Sequence, residues 1–347
     1  MATGQWLSLM DLTSRIDPQG EQAYVAEMLS QANEFYEDWP MIEGNEIGGH
    51  EFVFRTSIPA GSWRQYNMGI PYAKSTTAKS RVGMGSLEDF SQVDRMLAED
   101  SGDIDRFREM EDVAFLEGMG QTVTQTGFYG NTNATPAEFM GLAGFYNTLN
   151  INNAQNGANV LSGGGVASAN TSLWLIGWGE RTIFGVYPKG SKAGLTMEDR
   201  GDTTPGFDSV GNPFIAFTTW FRQQAAICPQ DWRYGVRCAN IDTTAAGLAG
   251  PNAADLFAIM AQMVMIPPHL GKASGITKTD AVDDPSPGIR PVWYCNRTVR
   301  HWMDVQGMRD RNVLLTINDY AGRPTDTFRG LPIRIVDQLL NTEATVS

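Results

Sequence analysis

The chain has 347 residues, 42% of them hydrophobic, and its 39 Asp and Glu against 26 Lys and Arg give a formal charge of −13. At roughly 100–200 residues per domain this length corresponds to about two domains with real cores. The acidic balance excludes a protein whose main work is gripping phosphate backbones, because that affinity comes from clustered Lys and Arg. Charged residues make up only 19%, below the typical ~25%, so Thr, Asn, Gln, Ser and apolar groups must cover much of a surface that suits contact with other protein. The first twenty residues lack a basic start followed by a long apolar run and do not read as a secretory signal. No stretch reaches the ~18 unbroken apolar residues of a membrane span; the best, Leu256 to Ile266, is interrupted by Gln262. Cys228, Cys238 and Cys295 are odd in number and set among apolar residues, as expected of buried thiols in a reducing compartment.

Within residues 1–45, Tyr24, Val25, Met28, Leu29, Ala32 and Phe35 recur at helical spacing and predict a short amphipathic helix from Gly20 to Tyr36. From Ile47 the pattern changes to strand, with His50 to Ile58, a loop at Pro59-Ala-Gly-Ser, Trp63 to Met68, and a polar run over 73–81. Two extended segments with so little to bury are marginal alone. Residues 46–82 therefore read as a two-stranded arm that something outside its own subunit must support.

A long helix is predicted from near Asp103 to about Gln125, with Ile104, Phe107, Met110, Val113, Leu116, Met119 and Val123 on a broad apolar face and a length of about 34 Å. Asp103 and Asp105 complement its dipole, and Gly127 to Gly130 breaks the pattern. The Asn- and Gly-rich stretch 147–170 reads as a loop between two bodies. Ser172–Ile176 and Thr182–Tyr187, separated by Gly177-Trp-Gly179, predict one hairpin. Phe214–Cys228 and Trp232–Ile241, joined at Pro229-Gln-Asp231, predict a second. Asn252 is placed to cap a helix over Ala253–Ile266 that Pro267-Pro268 ends. A strand at Val292–Cys295, a helix over Arg297–Gln306 capped by Asn296, and closing strands at Val313–Ile317 and Ile333–Val336 complete the chain.

The search for chemistry finds little. Gly185-Val-Tyr-Pro-Lys-Gly-Ser-Lys192 has the glycine spacing of a phosphate loop but reverses the required Lys-Ser order, and Pro188 removes a cradle N–H. Gly163-Gly-Gly165 and Gly177-Trp-Gly179 each lack the third glycine of a dinucleotide fingerprint. His50, His269 and His301 have no partner at metal-ligand spacing. His301, six residues past Cys295, is the one histidine that folding could bring to a nucleophile; a helix-surface or packing role is the simpler assignment. Carboxylates at Glu109, Glu111 and Asp112, and at Asp280, Asp283 and Asp284, could in principle hydrolyse a glycoside, but such runs are usually solvated faces. Trp174, Trp178, Trp220, Trp232 and Trp293 sit in strand-like apolar runs and point to core or subunit packing.

The order of elements, an arm, a long two-stranded loop, a spine helix, a strand-rich body and a return to short closing strands, resembles the layout of tailed-bacteriophage major capsid proteins of the Hong Kong 97 type. The segment Asp105–Met119 with Thr126-Gly-Phe-Tyr-Gly-Asn131, the pair Thr171–Gly179 and Thr182–Gly190, and the ending Thr327–Arg334 followed by Leu340-Asn-Thr-Glu343 are similar to the short-tailed-phage branch of that family. The resemblance implies an α+β fold with an N-terminal arm at 1–45 and an extended loop at 46–82. It implies a peripheral domain formed by 83–150 with 301–347, containing the spine helix, and an axial domain at 151–300. It implies no enzyme, cofactor or metal, but self-assembly into hexamers and pentamers of an icosahedral head enclosing double-stranded DNA.

The partners so implied are the chain's own copies, a separate scaffolding protein, a portal and, as an optional addition, a decoration protein. Packaged DNA is a weak, non-specific neighbour and no membrane is involved; the location is the virion capsid, after assembly in the host cytoplasm. Phe54, Trp63, Tyr66, Lys74 and Lys79 on the extended loop are the assembly-interface candidates. Some family members join a loop Lys to a neighbour's Asn, but neither Lys74 nor Lys79 matches that motif, and no crosslink is carried over. Two other readings stand beside this one: an encapsulin-type cellular compartment of the same architecture, and a carbohydrate-active enzyme using a carboxylate pair and exposed Trp.

Overall fold

The computed structural model of the chain describes residues 33–166, 169–202, 205–208, 210–244, 247–248, 253–268, 270, 288–309, 315–320 and 323–347. The predicted helix Gly20 to Tyr36 lies outside these except for its end, and Asn252, His269, Asp280, Asp283 and Asp284 lie outside them too.

The fold is organised by one strand, β6 (Asn170–Trp178), in which every residue is buried. Its side chains alternate between two cores. Trp174, Ile176 and Trp178 enter one with Phe35, Phe128 and Tyr294. Leu173 and Leu175 enter the other with Trp293 and with Met260 and Met263 of helix α5 (Leu256–Met265) and Val299 and Met303 of helix α6 (Arg297–Arg309). A strand covered on both faces carries apolar side chains where it enters the cores, from Leu173 on, while the polar Asn170, Thr171 and Ser172 at its start are buried as well, and it takes central sheet partners. Those partners are β11 (Gly235–Asp242), whose other edge carries the short β5 (Val160–Ser162), and β12 (Arg290–Cys295), both antiparallel to it.

This corrects the first predicted hairpin. β6 and β7 (Ile183–Tyr187) meet only at Trp178 and Ile183, in parallel register, because both edges of β6 are already taken by β11 and β12. The second predicted hairpin is also absent. β10 (Pro213–Pro229) and β11 do not pair; after Pro229 the chain enters a 3₁₀ turn at Trp232–Tyr234, with the Asp231 carboxylate accepting from the Arg233 N–H at 3.2 Å, and leaves the line of β10. β10 pairs instead with β4 (Gly85–Asp94) over ten residues, from Ala216 opposite Asp94 to Ala225 opposite Gly85. It also pairs with β7, β8 (Leu195–Asp199) and β9 (Pro205–Phe207).

Helix α1 (Phe35–Asp38) is a single turn that carries Phe35 into the core, and β1 (Met41–Glu43) follows it to pair with β7. A short helix α2 (Arg95–Asp100) links β4 to the long helix α3 (Ile104–Tyr129), which starts where the sequence places it, with the Asp103 carboxylate accepting from the Arg106 N–H at 3.2 Å. It runs one turn further than predicted, through Gly127. That turn buries Phe128 completely, 4.6 Å from the Phe35 ring and 5.9 Å from Trp174, which outweighs the roughly 1 kcal/mol that glycine costs a helix. The helix lies across β4 and β10, with Phe115 stacked on Phe221, the Thr219 hydroxyl donating to Asp112 at 3.1 Å, and Arg108 paired with Asp199 at 2.6 Å.

After the single-turn helix α4 (Leu142–Phe145), helix α5 begins three residues after its predicted start and is capped by Asp255, whose carboxylate accepts from the Ala258 N–H at 3.0 Å. Asn296 caps α6 as expected, accepting from the Val299 N–H at 2.8 Å. The closing strands are β13 (Leu315–Tyr320) and β15 (Leu331–Ile335), with β14 (Arg323–Phe328) between them; its polar Arg-Pro-Thr-Asp-Thr run conceals a strand. Among the described residues no helix is long and apolar enough to cross a membrane.

Candidate assembly surface

β2 (Gly49–Ser57) and β3 (Thr76–Gly83) form a two-stranded antiparallel sheet that no other strand among the described residues joins. Only its root is buried, through Phe52 and Val82. At about 3.4 Å per residue the eight steps from Gly49 to Ser57 carry the far end about 27 Å from the root. The root is stitched by polar contacts. The Asn45 amide donates to the Glu51 carbonyl at 2.7 Å and accepts from the Glu51 N–H at 2.8 Å, while Arg81 pairs with Glu46 at 2.9 Å. The His50 ring meets Phe184 edge-on at 5.7 Å, and burial pulls its pKa below the ordinary 6.5. At the outer end, the hydroxyls of Thr56 and Ser57 both meet that of Thr76 at 2.7 Å.

Residues 58–75 beyond this clamp form no strand or helix and are exposed throughout. Trp63 is 105%, Tyr66 95% and Tyr72 106% exposed, and Ile58, Met68 and Ile70 are also open to solvent. Single apolar residues on a surface are ordinary, but this many on one short segment make it the candidate interaction site. From 55 to 81 the sequence has Arg55, Arg64, Lys74, Lys79 and Arg81 and no Asp or Glu. The arm is thus aromatic and cationic in a chain whose net charge is −13.

Of the interface candidates, Trp63, Tyr66 and Lys74 lie on this exposed segment. Phe54 and Lys79 belong to the stem: Phe54 is 36% exposed with its ring 6.2 Å from Phe52, and Lys79 pairs with Glu51 on the facing strand at 3.3 Å. Ile58, Met68, Ile70 and Tyr72 were not among the candidates; the absence of acidic residues across the whole segment was the signal that would have included them.

The glycine-rich loops, thiols and histidine are engaged in packing and backbone contacts. The Gly190 N–H, which a phosphate loop would turn to its ligand, donates to the Glu43 carboxylate at 2.8 Å. The Gly163 and Gly165 N–H groups donate to the carbonyls of Ala239 and Asn240, each at 2.7 Å. Cys228, Cys238 and Cys295 are buried, and desolvation pushes each thiol up to about 12, where it stays protonated and unreactive. His301 sits exposed on α6 beside Trp302. Trp174, Trp178 and Trp293 are fully buried. Among the described residues no group of His, Cys, Asp and Glu could hold a metal ion.

An α+β body with a long helix across one sheet, from which a solvent-exposed two-stranded arm projects, is the layout that the resemblance to tailed-phage capsid subunits implies. The family model described as major capsid protein GP7 matches residues 17–347, and the chain belongs to that family. The near-atomic structure of bacteriophage epsilon15 matches with 30% identity over 100% of this chain and 99% of that one, at a TM-score of 0.73. The bacteriophage JBD30 capsid matches with 12% identity over 92% of this chain and 95% of that one, at 0.47. The capsid of the native GTA particle matches with 8% identity over 65% and 95%, at 0.44. No curated protein matches the chain in sequence. The protein is a phage major capsid protein of the Hong Kong 97-type fold, a structural component of the virion and not an enzyme. The compartment-shell and carbohydrate-active readings fall with that assignment.

Proposed function

We propose that this capsid protein assembles into hexamers and pentamers of an icosahedral head around double-stranded DNA, and that residues 58–75 of each arm dock on a neighbouring subunit. The observation that carries this reading is the full exposure of Trp63, Tyr66 and Tyr72. Aromatic side chains bury roughly 150–250 Å² each, so three of them offer on the order of 10 kcal/mol of gross burial before ordering costs. Such contacts, each modest and repeated around a shell, close it while leaving single errors reversible.

In this reading residues 83–150 with 301–347 form the peripheral domain and 151–300 the axial domain. A separate scaffolding protein, a portal and an optional decoration protein act with it in the host cytoplasm. The acidic balance suits a wall that does not cling to its DNA. Deleting residues 58–75 tests the arm: the expected result is a folded, soluble subunit that forms no closed shells by negative-stain electron microscopy. Shells of normal size from the deletion variant would overturn it.

A further inference from the structure

The outer arm carries rings and cations on a backbone that forms neither strand nor helix over residues 58–75. Trp63, Tyr66 and Tyr72 are almost fully exposed, so their ring faces are open. A turn from Gln65 to Met68, closed by the Met68 N–H donating to the Gln65 carbonyl at 3.3 Å with Asn67 at a φ of 63°, sets Tyr66 at its corner and Trp63 just before it. Arg55, Arg64 and Lys74 stand among these rings. Lys79 and Arg81 are paired with Glu51 and Glu46, whereas among the described residues no carboxylate pairs with Arg55, Arg64 or Lys74.

Unpaired cations with no acidic residue from 55 to 81 select an anion, and their spacing along the chain selects one with repeated charges. The acidic body does not cancel them. The outer end of the ribbon lies about 27 Å from the root, nearly three times the Debye length of about 10 Å at 0.1 M salt, so the field of the body is screened there. The rings then decide between polyanions. An acidic protein segment needs an apolar groove or a free strand edge beside its charges, and residues 58–75 have no strand to offer it. A nucleic-acid strand needs only what is present: bases stack on ring faces of any sequence, and phosphates meet the cations. A duplex hides its base faces in its own stack, so the strand is single.

We infer that the outer arm of the unassembled subunit is a binding site for single-stranded nucleic acid, whose bases stack on Trp63, Tyr66 and Tyr72 and whose phosphates meet Arg55, Arg64 and Lys74. The binding itself stands apart from the arm-docking reading above. One consequence rests on that reading: rings buried on a neighbouring subunit are closed to bases, so joining a shell releases the strand. The subunit thus holds nucleic acid only while it is free, and a strand on the arm delays assembly. Three neutralised phosphates give an affinity that falls with salt at a logarithmic slope of about −2.

The test titrates unassembled full-length chain into fluorescein-labelled oligothymidylate and reads anisotropy. Half-saturation is expected at about 1–100 µM at physiological salt. Trp63→Ala should weaken binding at least about fivefold and keep the salt slope, whereas Arg64→Gln with Lys74→Gln should flatten the slope to about −0.7. These side chains are exposed, so circular dichroism and melting should match the parent. Oligouridylate should bind like oligothymidylate, and a duplex of equal length more weakly. No anisotropy change up to about 300 µM subunit would overturn the site, and so would an affinity that neither variant alters. A duplex that binds as tightly as the single strand would overturn base stacking as its basis. Poly-glutamate of equal charge that displaces the oligonucleotide at equal concentration would overturn it in favour of an acidic protein. Closed shells should bind at least about tenfold less per subunit than free chain, as interface aromatics are covered. Shells that bind as strongly as free subunits would overturn release and arm docking and leave the nucleic-acid site standing.

Discussion

Arg237 on β11 and Glu343 in the C-terminal tail form an ion pair at 2.8 Å with side chains only 5% and 4% exposed. The other groups of the pair are occupied as well. Arg237 donates to the Ser172 hydroxyl at 3.0 Å and the Tyr146 carbonyl at 2.8 Å, and its guanidinium lies 5.1 Å from the centre of the Trp174 ring. Glu343 accepts from the Tyr129 hydroxyl at 2.5 Å and also from Ser172. Burial first, and then the Glu343 charge, pushes the Tyr129 pKa well up and keeps that hydroxyl a donor. The contacts tie the last residue of α3, two central strands and the tail into one unit. Asn240 adds a reciprocal amide pair with Val346, both bonds at 2.8 Å.

Removing one member of this pair leaves a buried charge without its counterpart. Glu343→Ala is expected to destabilise the subunit by about 3–5 kcal/mol, read as a lower urea midpoint with the slope unchanged. The double variant Arg237→Met, Glu343→Leu should recover much of the loss, because apolar groups of similar volume leave no orphaned charge. A double variant no better than Glu343→Ala would show that the network's hydrogen bonds, not the stranded charge, set the cost.

Two glycines of α3 should respond in opposite directions. At Gly127 a Cβ would lie 2.9 Å from Cε1 of Phe35, so Gly127→Ala overpacks the core and should cost about 1–3 kcal/mol. At Gly118 a Cβ meets only open space, so Gly118→Ala should stabilise by about 0.5–1 kcal/mol through helix propensity. Thermal melts of the two variants beside the parent check the sign of each.

Trp63→Ala separates folding from assembly. The ring touches little in the subunit, so its melting temperature should stay unchanged. A docked Trp at the centre of an interface contributes about 2 kcal/mol or more, and the protein concentration needed for shells should rise correspondingly, by about thirtyfold at 2 kcal/mol. Equal loss of folding and assembly would refute the separation.

Acid should loosen the arm's root. Burial depresses the pKa of His50 below 6.5 in the folded state, so as pH falls the unfolded or detached form takes the proton first. The contribution is therefore complete above about pH 6.5 and declines below it. Limited proteolysis after Arg81 or Arg55 at pH 7.5 and pH 5 should show faster cleavage in acid. His50→Phe keeps the ring against Phe184 and should remove that part of the pH dependence; an undiminished response in the variant would clear His50 of the role.

The arm was legible because of what its residues lack. A run such as Ala73-Lys-Ser-Thr-Thr-Ala-Lys-Ser-Arg81 cannot bury an apolar face against anything in its own strand pair, so its exposure follows from composition. Its cationic character could equally have been read there. The shallow groove between β4 and α3 could not, since Leu87 and Met119 are 32 positions apart and only the packing of β4 on α3 places them on one surface.

The sequence by itself determined the elements whose signals are local: the long helix through its periodicity and Asp103, the start of α6 through Asn296, the arm, and the buried Trp-rich strands. Tertiary structure alone decided which strands pair and where α3 stops. β4 and β10 pair although more than 120 positions separate them, and β6 takes β11 and β12 in place of its sequence neighbour β7. A β-strand's own residues specify which faces are apolar but not which edge will fill its hydrogen bonds. That choice belongs to whichever partners also complete the two cores.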